Sequence, residues 1–325
     1  MRSGAARWLS ATLALAAAFA VHGAQPAAPQ VASPTCDRKC LYGVLDRYLA
    51  ALKAQDPRQV PWAARVRNTE NNVALRTGDG LWGTVTALDP YEMRIADPAT
   101  GGVAVFGVVQ ETTERSPYAL RLKVVEGRVA EVETLVVRPS DAGIPFVTAD
   151  IKPLPVWDEV LTPALRTPRQ QMVDVANGYF ETLQLNDGTL KTAFTDDCNR
   201  REDGLQSTNN PAATLDPLWK LGCADQFRVG QYRYDDRLRD RRFLAVDEER
   251  GIVLAGGFID HEGRLGEFTL TDGSKRTSMF RRPHSFVLLE AFKIHAGKIR
   301  QVEAVFLTVP YNMPSAWPAG GGQTP

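Results

Sequence analysis

The sequence predicts an α+β protein that contains one unit twice, a helix followed by a curved antiparallel sheet. Two pairs of segments support the duplication. The turns at Glu126-Gly127 and Ala296-Gly297 each join two apolar segments, and the glycine-flanked apolar segments 102–107 and 251–256 correspond to each other. Since 325 residues are enough for about two domains, each unit can bury its own core.

The composition is typical of a soluble globular protein, with 44% hydrophobic and 23% charged residues. The 38 basic residues balance the 38 acidic residues, and no long polybasic block is present. DNA- and RNA-binding proteins need an excess of positive charge to contact phosphates. We therefore expect no nucleic-acid partner.

The N-terminus has the pattern of a secretory signal peptide over residues 1–24. Arg2 and Arg7 precede an apolar run from Leu9 to Val21, and small residues such as Ala24 offer a cleavage site. This run is short for a membrane span. The sequence thus predicts a secreted or periplasmic protein without an integral membrane segment in its mature chain, beginning with a flexible leader over 25–35.

The first unit is predicted over residues 36–138. Its helix ends before Asp56-Pro57, and Asp37 is placed to cap its start. Apolar residues recur at steps of three and four along this helix, at Leu41, Val44, Leu45, Tyr48, Leu49 and Leu52. The strands follow at 91–96, 103–111, 118–125 and 129–138, where alternation indicates a half-buried antiparallel sheet.

Residues 139–168 contain six prolines, so they predict an extended linker, and Trp157 indicates that part of it lies against a domain. The second unit is predicted over 169–313. It has two insertions, one around 207–224 and a polar hairpin around 262–283. The Gly- and Pro-rich tail, 314–325, is predicted to be disordered.

The four cysteines allow three complete pairings, among which the sequence alone does not decide. Proximity favours Cys36 with Cys40 and Cys198 with Cys223. Neither pair has a second Cys or His doublet at zinc-ligand spacing, so we expect disulfides and no metal site.

Several short motifs carry a resemblance to a known family. They are Cys40-Leu41-x-x-Val44-Leu45-Asp46-x-Tyr48-Leu49, Asn68-Thr69-Glu70-Asn71, Gly78-Asp79-Gly80-Leu81-Trp82, Arg239-Asp240-Arg241-Arg242-Phe243, Asp247-Glu248-Glu249-Arg250-Gly251 and Val309-Pro310-Tyr311. With them the chain resembles secreted fungal and bacterial proteins of the DUF8021 type, mostly of unknown function. These proteins carry two domains of the nuclear-transport-factor-2-like (SnoaL and ketosteroid-isomerase-like) superfamily in tandem.

The resemblance implies that each domain is a cone, a curved sheet wrapped by helices around an apolar pocket. Members of the superfamily include isomerases, dehydratases, cyclases and plain binding modules, so function depends on the residues of the site. Because such domains often dimerise through their sheets, the duplication implies a monomer with an intramolecular pseudo-dimer.

Candidate catalytic residues lie mainly in the second unit. Asp260 and His261 end an apolar strand, and only one of them can face the pocket because adjacent strand residues point to opposite faces. Glu202 recurs at the position of Glu70 in the first unit. Tyr179 is a further candidate, although each of these residues has a plainer interpretation as a rim, ion-pairing or core residue.

In the first unit the candidates are Glu70 and Tyr48, where Tyr48 is alternatively a core aromatic residue. Arg237, Arg239 and Arg241 share one strand face if alternation holds. Arg239 and Arg241, with Trp82, are therefore candidate substrate-binding residues, and the alternative for the arginines is a solvated face neutralised by aspartates.

The chain contains no phosphate-binding loop, dinucleotide fingerprint, metalloprotease helix or Gly-x-Ser-x-Gly motif. The leading hypothesis is therefore a cofactor-independent lyase or isomerase that uses acid/base chemistry on a small, partly apolar molecule. The alternatives are a non-catalytic small-molecule-binding protein and a purely structural pseudo-dimer.

Overall fold

The computed structural model describes residues 36–149 and 151–317; the predicted signal peptide and leader lie outside them. The first domain begins with helix α1 (Arg38–Lys53), whose first turn is capped by Asp37, since its carboxylate accepts a hydrogen bond from the Cys40 amide. Six strands follow, and they form one sheet in the order β2-β1-β6-β5-β4-β3. The strands are β1 (Trp62–Glu70), β2 (Val73–Ala74), β3 (Val85–Asp97), β4 (Gly102–Glu111), β5 (Glu114–Val125) and β6 (Arg128–Val136).

The second domain repeats this arrangement with helix α2 (Arg169–Leu183) and the short helix α3 (Cys223–Arg228). Its main sheet has the order β8-β7-β14-β13-β10-β9, and the polar insertion forms a separate two-stranded sheet. The strands are β7 (Phe194–Glu202), β8 (Leu205–Gln206), β9 (Arg237–Asp247), β10 (Ile252–His261), β11 (Glu267–Thr269), β12 (Lys275–Thr277), β13 (His284–His295) and β14 (Lys298–Val309). Each domain is thus one mostly antiparallel six-stranded sheet with few helices.

Strand pairing makes the two sheets equivalent position by position. Glu70 pairs with Thr134 across the parallel β1–β6 contact, and Glu202 pairs with Ala304 across β7–β14. Thr134 and Ala304 in turn face Leu120 and Glu290 on the next strand. Glu202 therefore corresponds to Glu70, as the sequence predicted. Glu290 corresponds to Leu120, so the two copies differ at this buried position.

Alternation assigns the two faces of each sheet to two different cores. On one face Leu120 contacts the core under α1, and Leu288 contacts the core under α2. On the other face Ala119 and Leu289 lie in a third core that both sheets share. The two sheets therefore pack face to face, and each domain has a separate helix-covered side, which we name the first cup and the second cup. None of the helices in the described residues has the length and apolar character needed to span a bilayer.

The linker and the start of the tail both belong to this packing. Trp157 of the linker is buried in the shared core, and its indole N–H donates to Glu303 Oε2 at 3.2 Å. Disorder was expected from residue 314, but the structure corrects this for 314–317. Trp317 is buried against the first domain, and Asn72 exchanges hydrogen bonds with the backbone of Pro314 and Ala316 at 2.9 and 2.8 Å.

Two disulfide bonds join the pairs that proximity favoured. Cys36–Cys40 lies at the start of α1. Cys198–Cys223 connects β7 to α3 and so anchors the first insertion to the second sheet. Cross-links of this kind are typical of proteins that fold in an oxidising compartment.

Candidate active site

The second cup contains a cavity with a volume of about 80 Å³, counted as the space in which the centre of a water molecule can lie. About 10–15 Å³ of such space is needed for one water, so the cavity has room for a small ligand. The lining is mainly apolar and aromatic, with several ionisable side chains among the rings. Met279, which is 51% exposed, marks the end that reaches solvent, and we call this end the mouth.

One end of the cavity is built around a buried arginine. Arg200 lies on β7, is 1% exposed, and forms an ion pair with Glu202 at 3.0 Å. Its guanidinium group also donates to the hydroxyl oxygens of Tyr179, at 3.4 Å, and Tyr232. Since a buried guanidinium needs several partners to offset its lost hydration, these contacts hold Arg200 and Glu202 in one arrangement. The same hydrogen bonds orient both tyrosine hydroxyls.

Glu290 adds a second carboxyl group to this end. It lies on β13, is 4% exposed and lines the cavity. Burial raises the pKa of Glu290 to about 8, the nearby Glu202 carboxylate adds to the rise, and Arg200 and the Tyr179 hydroxyl oppose it. Glu290 is therefore largely protonated at neutral pH, while Glu202 pairs with a guanidinium. We name Tyr179, Arg200, Glu202, Tyr232 and Glu290 the polar cluster.

Replacing Glu290 with Gln is expected to change how stability depends on pH. The folded protein holds a proton on Glu290 that the unfolded chain, with a pKa near 4.5, has released. The wild type should therefore lose stability as the pH rises from about 4.5 to about 8, by on the order of 2–4 kcal/mol. Glu290→Gln lacks this term, so urea unfolding at pH 5 and pH 8.5 should show a smaller decrease. Parallel pH profiles for the two proteins would contradict the assignment, and Glu114→Gln, an exposed carboxyl, is the control.

A second ionisable pair lies toward the mouth. Asp235 is 4% exposed and lines the cavity, and its Oδ1 lies 2.8 Å from Nε2 of His261. The His261 ring stacks on His284 with 4.5 Å between centroids and packs against Phe280. His261 itself is behind Asp235 and does not line the cavity. It therefore positions a carboxylate and has no direct access to a ligand.

The first cup is nearly filled by its own side chains. The rings of Trp62 and Trp82 pack on Tyr48 at centroid distances of 6.0 and 5.3 Å. The space that remains beside Tyr48 and Trp82 is about 10 Å³, enough for about one water. Glu70 accepts hydrogen bonds from the Leu81 amide, at 2.6 Å, and from Arg138, at 2.9 Å. These contacts make Glu70 a link between the sheet and a neighbouring turn.

The remaining candidates lie outside the cavity. Asp260 accepts from Arg237 and Arg239 and from the Ser285 hydroxyl, on the face opposite His261. The arginines at 237, 239 and 241 do not all share one face of the strand. Arg239 pairs with Phe258 and Arg242 with Gly256 on the neighbouring strand, so the two residues 240 and 241 lie opposite the single residue 257. Such a bulge reverses the alternation.

The consequence of the bulge is that the arginines have different surroundings. Arg241 donates to Asn177 of α2 at 3.0 Å, whereas Arg239 lies over the Phe258 ring. Asp240, with a φ of 51°, is the residue that takes the left-handed conformation at the bulge. No group of three or more His, Cys, Asp or Glu residues in the described ranges is arranged to hold a metal ion.

Sequence reasoning missed Arg200, Tyr232, Asp235 and Glu290. Only Glu290 left a clear signal, since it interrupts the apolar alternation Phe286-x-Leu288-x-Glu290-x-Phe292 on a strand face that should be buried. Arg200 comes from a strand end, whereas Tyr232 and Asp235 come from the segment between α3 and β9, and only the tertiary structure brings them together.

The fold and the cavity define a class, a two-domain protein in which the two sheets share a core and one of the two cups holds a cavity lined by aromatic and ionisable side chains. The chain belongs to the family described as "Domain of unknown function (DUF8021)", whose model matches residues 35–136 and 165–306, one range in each domain. No curated protein matches the chain in sequence.

Solved structures show limited similarity. A protein provisionally assigned as a ketosteroid isomerase from Kribbella flavida is 16% identical, covering 36% of this chain and 91% of that one, with a TM-score of 0.27. A protein of unknown function with a cystatin-like fold from Methylobium petroleophilum is 16% identical, covering 42% of this chain and 99% of that one, with a TM-score of 0.27. A de novo designed protein with a curved β-sheet is 16% identical, covering 32% of this chain and 89% of that one, with a TM-score of 0.28.

Proposed function

We propose that the second domain is a cofactor-independent lyase or isomerase that moves a proton on a small, partly apolar molecule. One observation carries this proposal: two carboxyl groups line one cavity beside Tyr179, Glu202 in an ion pair with Arg200 at 3.0 Å and Glu290 with a pKa raised to about 8. A buried carboxyl group whose pKa is raised by burial and by a neighbouring charge is a candidate for acid/base catalysis.

The roles follow from the contacts of each group. Glu202, which pairs with Arg200, is the candidate base that removes a proton from a carbon next to a carbonyl group. Protonated Glu290 and the Tyr179 hydroxyl are donors for the oxygen on which negative charge then develops. Arg200 keeps Glu202 in place and is a positioning residue. In this assignment Glu202 and Glu290 share the acid/base role, for which the sequence suggested Asp260, His261 or Glu202.

The rest of the molecule supports this site. We propose that both domains, 36–138 and 169–313, are nuclear-transport-factor-2-like cones, and that the filled first cone is a scaffold whose sheet supports the second. The shared sheet-to-sheet core takes the place of a homodimer interface, so we expect a monomer. Two disulfides and the predicted signal peptide favour a secreted or periplasmic location.

A non-catalytic binding protein is the second candidate function, favoured by the aromatic character of the lining. Trp219, Tyr234, Phe280, Phe286 and Phe306 all line the cavity and offer a ligand mainly apolar contacts. Such a protein would retain a ligand without exchanging its protons.

The test detects proton removal from a substrate whose identity is still open. The protein is incubated in D₂O with a metabolite extract, and mass spectrometry records molecules that gain deuterium at carbon or change into products. A base that acts reversibly on C–H bonds introduces solvent deuterium. We expect wild-type-dependent labelling or conversion to fall by a factor of about 10²–10⁴ in Glu202→Gln.

Glu114→Gln is the matched control, because it makes the same change on the exposed part of β5. Circular dichroism establishes that the variants are folded. Labelling that is equal in wild type and Glu202→Gln would contradict the proposed base. Ligand retention without any labelling or conversion would favour the binding function.

A further inference from the structure

Asp235 is a buried carboxylate at the mouth that the proposed proton transfer does not use. Its hydrogen-bonding partner is His261, at 2.8 Å. In the described part of the chain, no Lys or Arg side chain lies within ion-pair distance of it, in contrast to Glu202 with its arginine. Burial raises the pKa of Asp235, and the hydrogen bond from His261 opposes the rise. A buried carboxylate in this position lacks a cation.

His261 contacts Asp235 from behind the cavity wall. It is 1% exposed, and its Nδ1 has no hydrogen-bond partner among the described residues. With a proton on Nε2, the ring donates a hydrogen bond to Asp235 Oδ1. This contact orients the Asp235 side chain.

Several aromatic side chains line the same cavity as Asp235. Trp219, Tyr232, Tyr234 and Phe280 line the same space, and the Tyr234 and Phe280 rings meet edge to face at 5.0 Å. Aromatic faces around a carboxylate attract organic cations, because the ring quadrupole and the negative charge both favour a positive group that is only weakly hydrated. A metal ion or a strongly hydrated ammonium gains less from such rings.

We propose that the mouth of the second cup binds an organic ammonium group, held by Asp235 and the surrounding rings, so that ligands of this protein carry a substituted amine. This inference rests on the proposed function in one respect, namely that the cavity is the ligand site. The polar cluster, which lines the same cavity, then takes the uncharged, reacting part of the same molecule.

Three probes of nearly one shape test the proposal: choline, the neutral 3,3-dimethylbutan-1-ol and the anionic 3,3-dimethylbutanoate. Binding to the wild type is measured at pH 7.5 by titration calorimetry or ligand-observed NMR. We expect choline to bind at least about 10-fold more tightly than the alcohol, and the anion to bind most weakly. Asp235→Asn, which keeps an acceptor for His261, should reduce the preference for choline over the alcohol to about twofold or less.

The control is Asp236→Asn, because it removes the same charge from the neighbouring residue, whose side chain does not line the cavity. It should keep the preference. Equal binding of choline and the alcohol to the wild type would overturn the ammonium site. This outcome does not depend on whether Asp235→Asn folds, and it leaves the acid/base proposal unaffected. Binding of none of the three probes overturns the ammonium site as well. Loss of proton exchange in Glu202→Gln with the choline preference intact supports both proposals.

Discussion

Replacing Arg242 with Met is expected to destabilise the protein by about 3–5 kcal/mol. Arg242 and Glu133 face each other between the two sheets, both 4% exposed in their side chains, and form two hydrogen bonds of 3.0 and 2.6 Å. Burial disfavours the ionised form of Glu133, but Arg242 and Arg121 together lower its pKa below the usual value. Without Arg242, a buried carboxylate keeps only the Arg121 contact at 3.3 Å.

A double-mutant cycle separates this effect from lost packing. Glu133→Gln with Arg242→Met removes both charges, so the double variant should be more stable than Arg242→Met alone, measured by urea unfolding at pH 7. This result would show that much of the loss in Arg242→Met comes from leaving the buried Glu133 carboxylate without its partner. Additive effects of the two substitutions would mean that the pair is not coupled.

Replacing Trp317 with Ala should cost about 3–5 kcal/mol, although this residue lies at the end of the described chain. Its ring is 6% exposed and packs under the guanidinium groups of Arg67, Arg121 and Arg242, at 5.4, 4.9 and 5.5 Å. The tail thus passes from the second domain onto the first, and its removal exposes the charged end of the shared core. Thermal unfolding followed by circular dichroism measures the effect.

Trp317→Phe is the matched control, because it keeps an aromatic face for the arginines and should cost less than half as much as Trp317→Ala. Equal, small effects of both substitutions would show that the tail does not contribute to domain packing. Since Arg242 contacts both Glu133 and Trp317, we also expect the effects of Arg242→Met and Trp317→Ala to be non-additive.

The two copies show that one fold can contain a nearly filled cup or a hollow one. Tyr48 and Tyr179 occupy the same place on their helices, and Glu70 and Glu202 the same place on their strands. The difference lies in the neighbours: the first copy has Leu120 where the second has Glu290. An apolar neighbour allows the first cup to close around its own tryptophans, whereas a second carboxyl group needs the buried arginine and the tyrosine hydroxyls beside it.

Local patterns were sufficient for much of the fold. The period of α1, its Asp37 cap and the alternation in β5 all follow from short-range physics, and they appear where the sequence placed them. The strand pattern failed at Asp240, because a bulge depends on which residues oppose it on the neighbouring strand. The start of the tail, 314–317, was expected to be disordered because its composition gives no sign that Trp317 packs against the first domain.

The amino-acid sequence by itself determined the duplication, the order of helices and strands in each copy, and the preference for disulfide pairing between near neighbours, because these depend on periodicity and on short separations along the chain. Only the tertiary structure decided which cup is hollow and which carboxyl groups face its cavity. Arg200, Asp235 and Glu290 are far apart in sequence, and the pKa of a carboxyl group depends on burial and on charges that folding brings within a few ångströms.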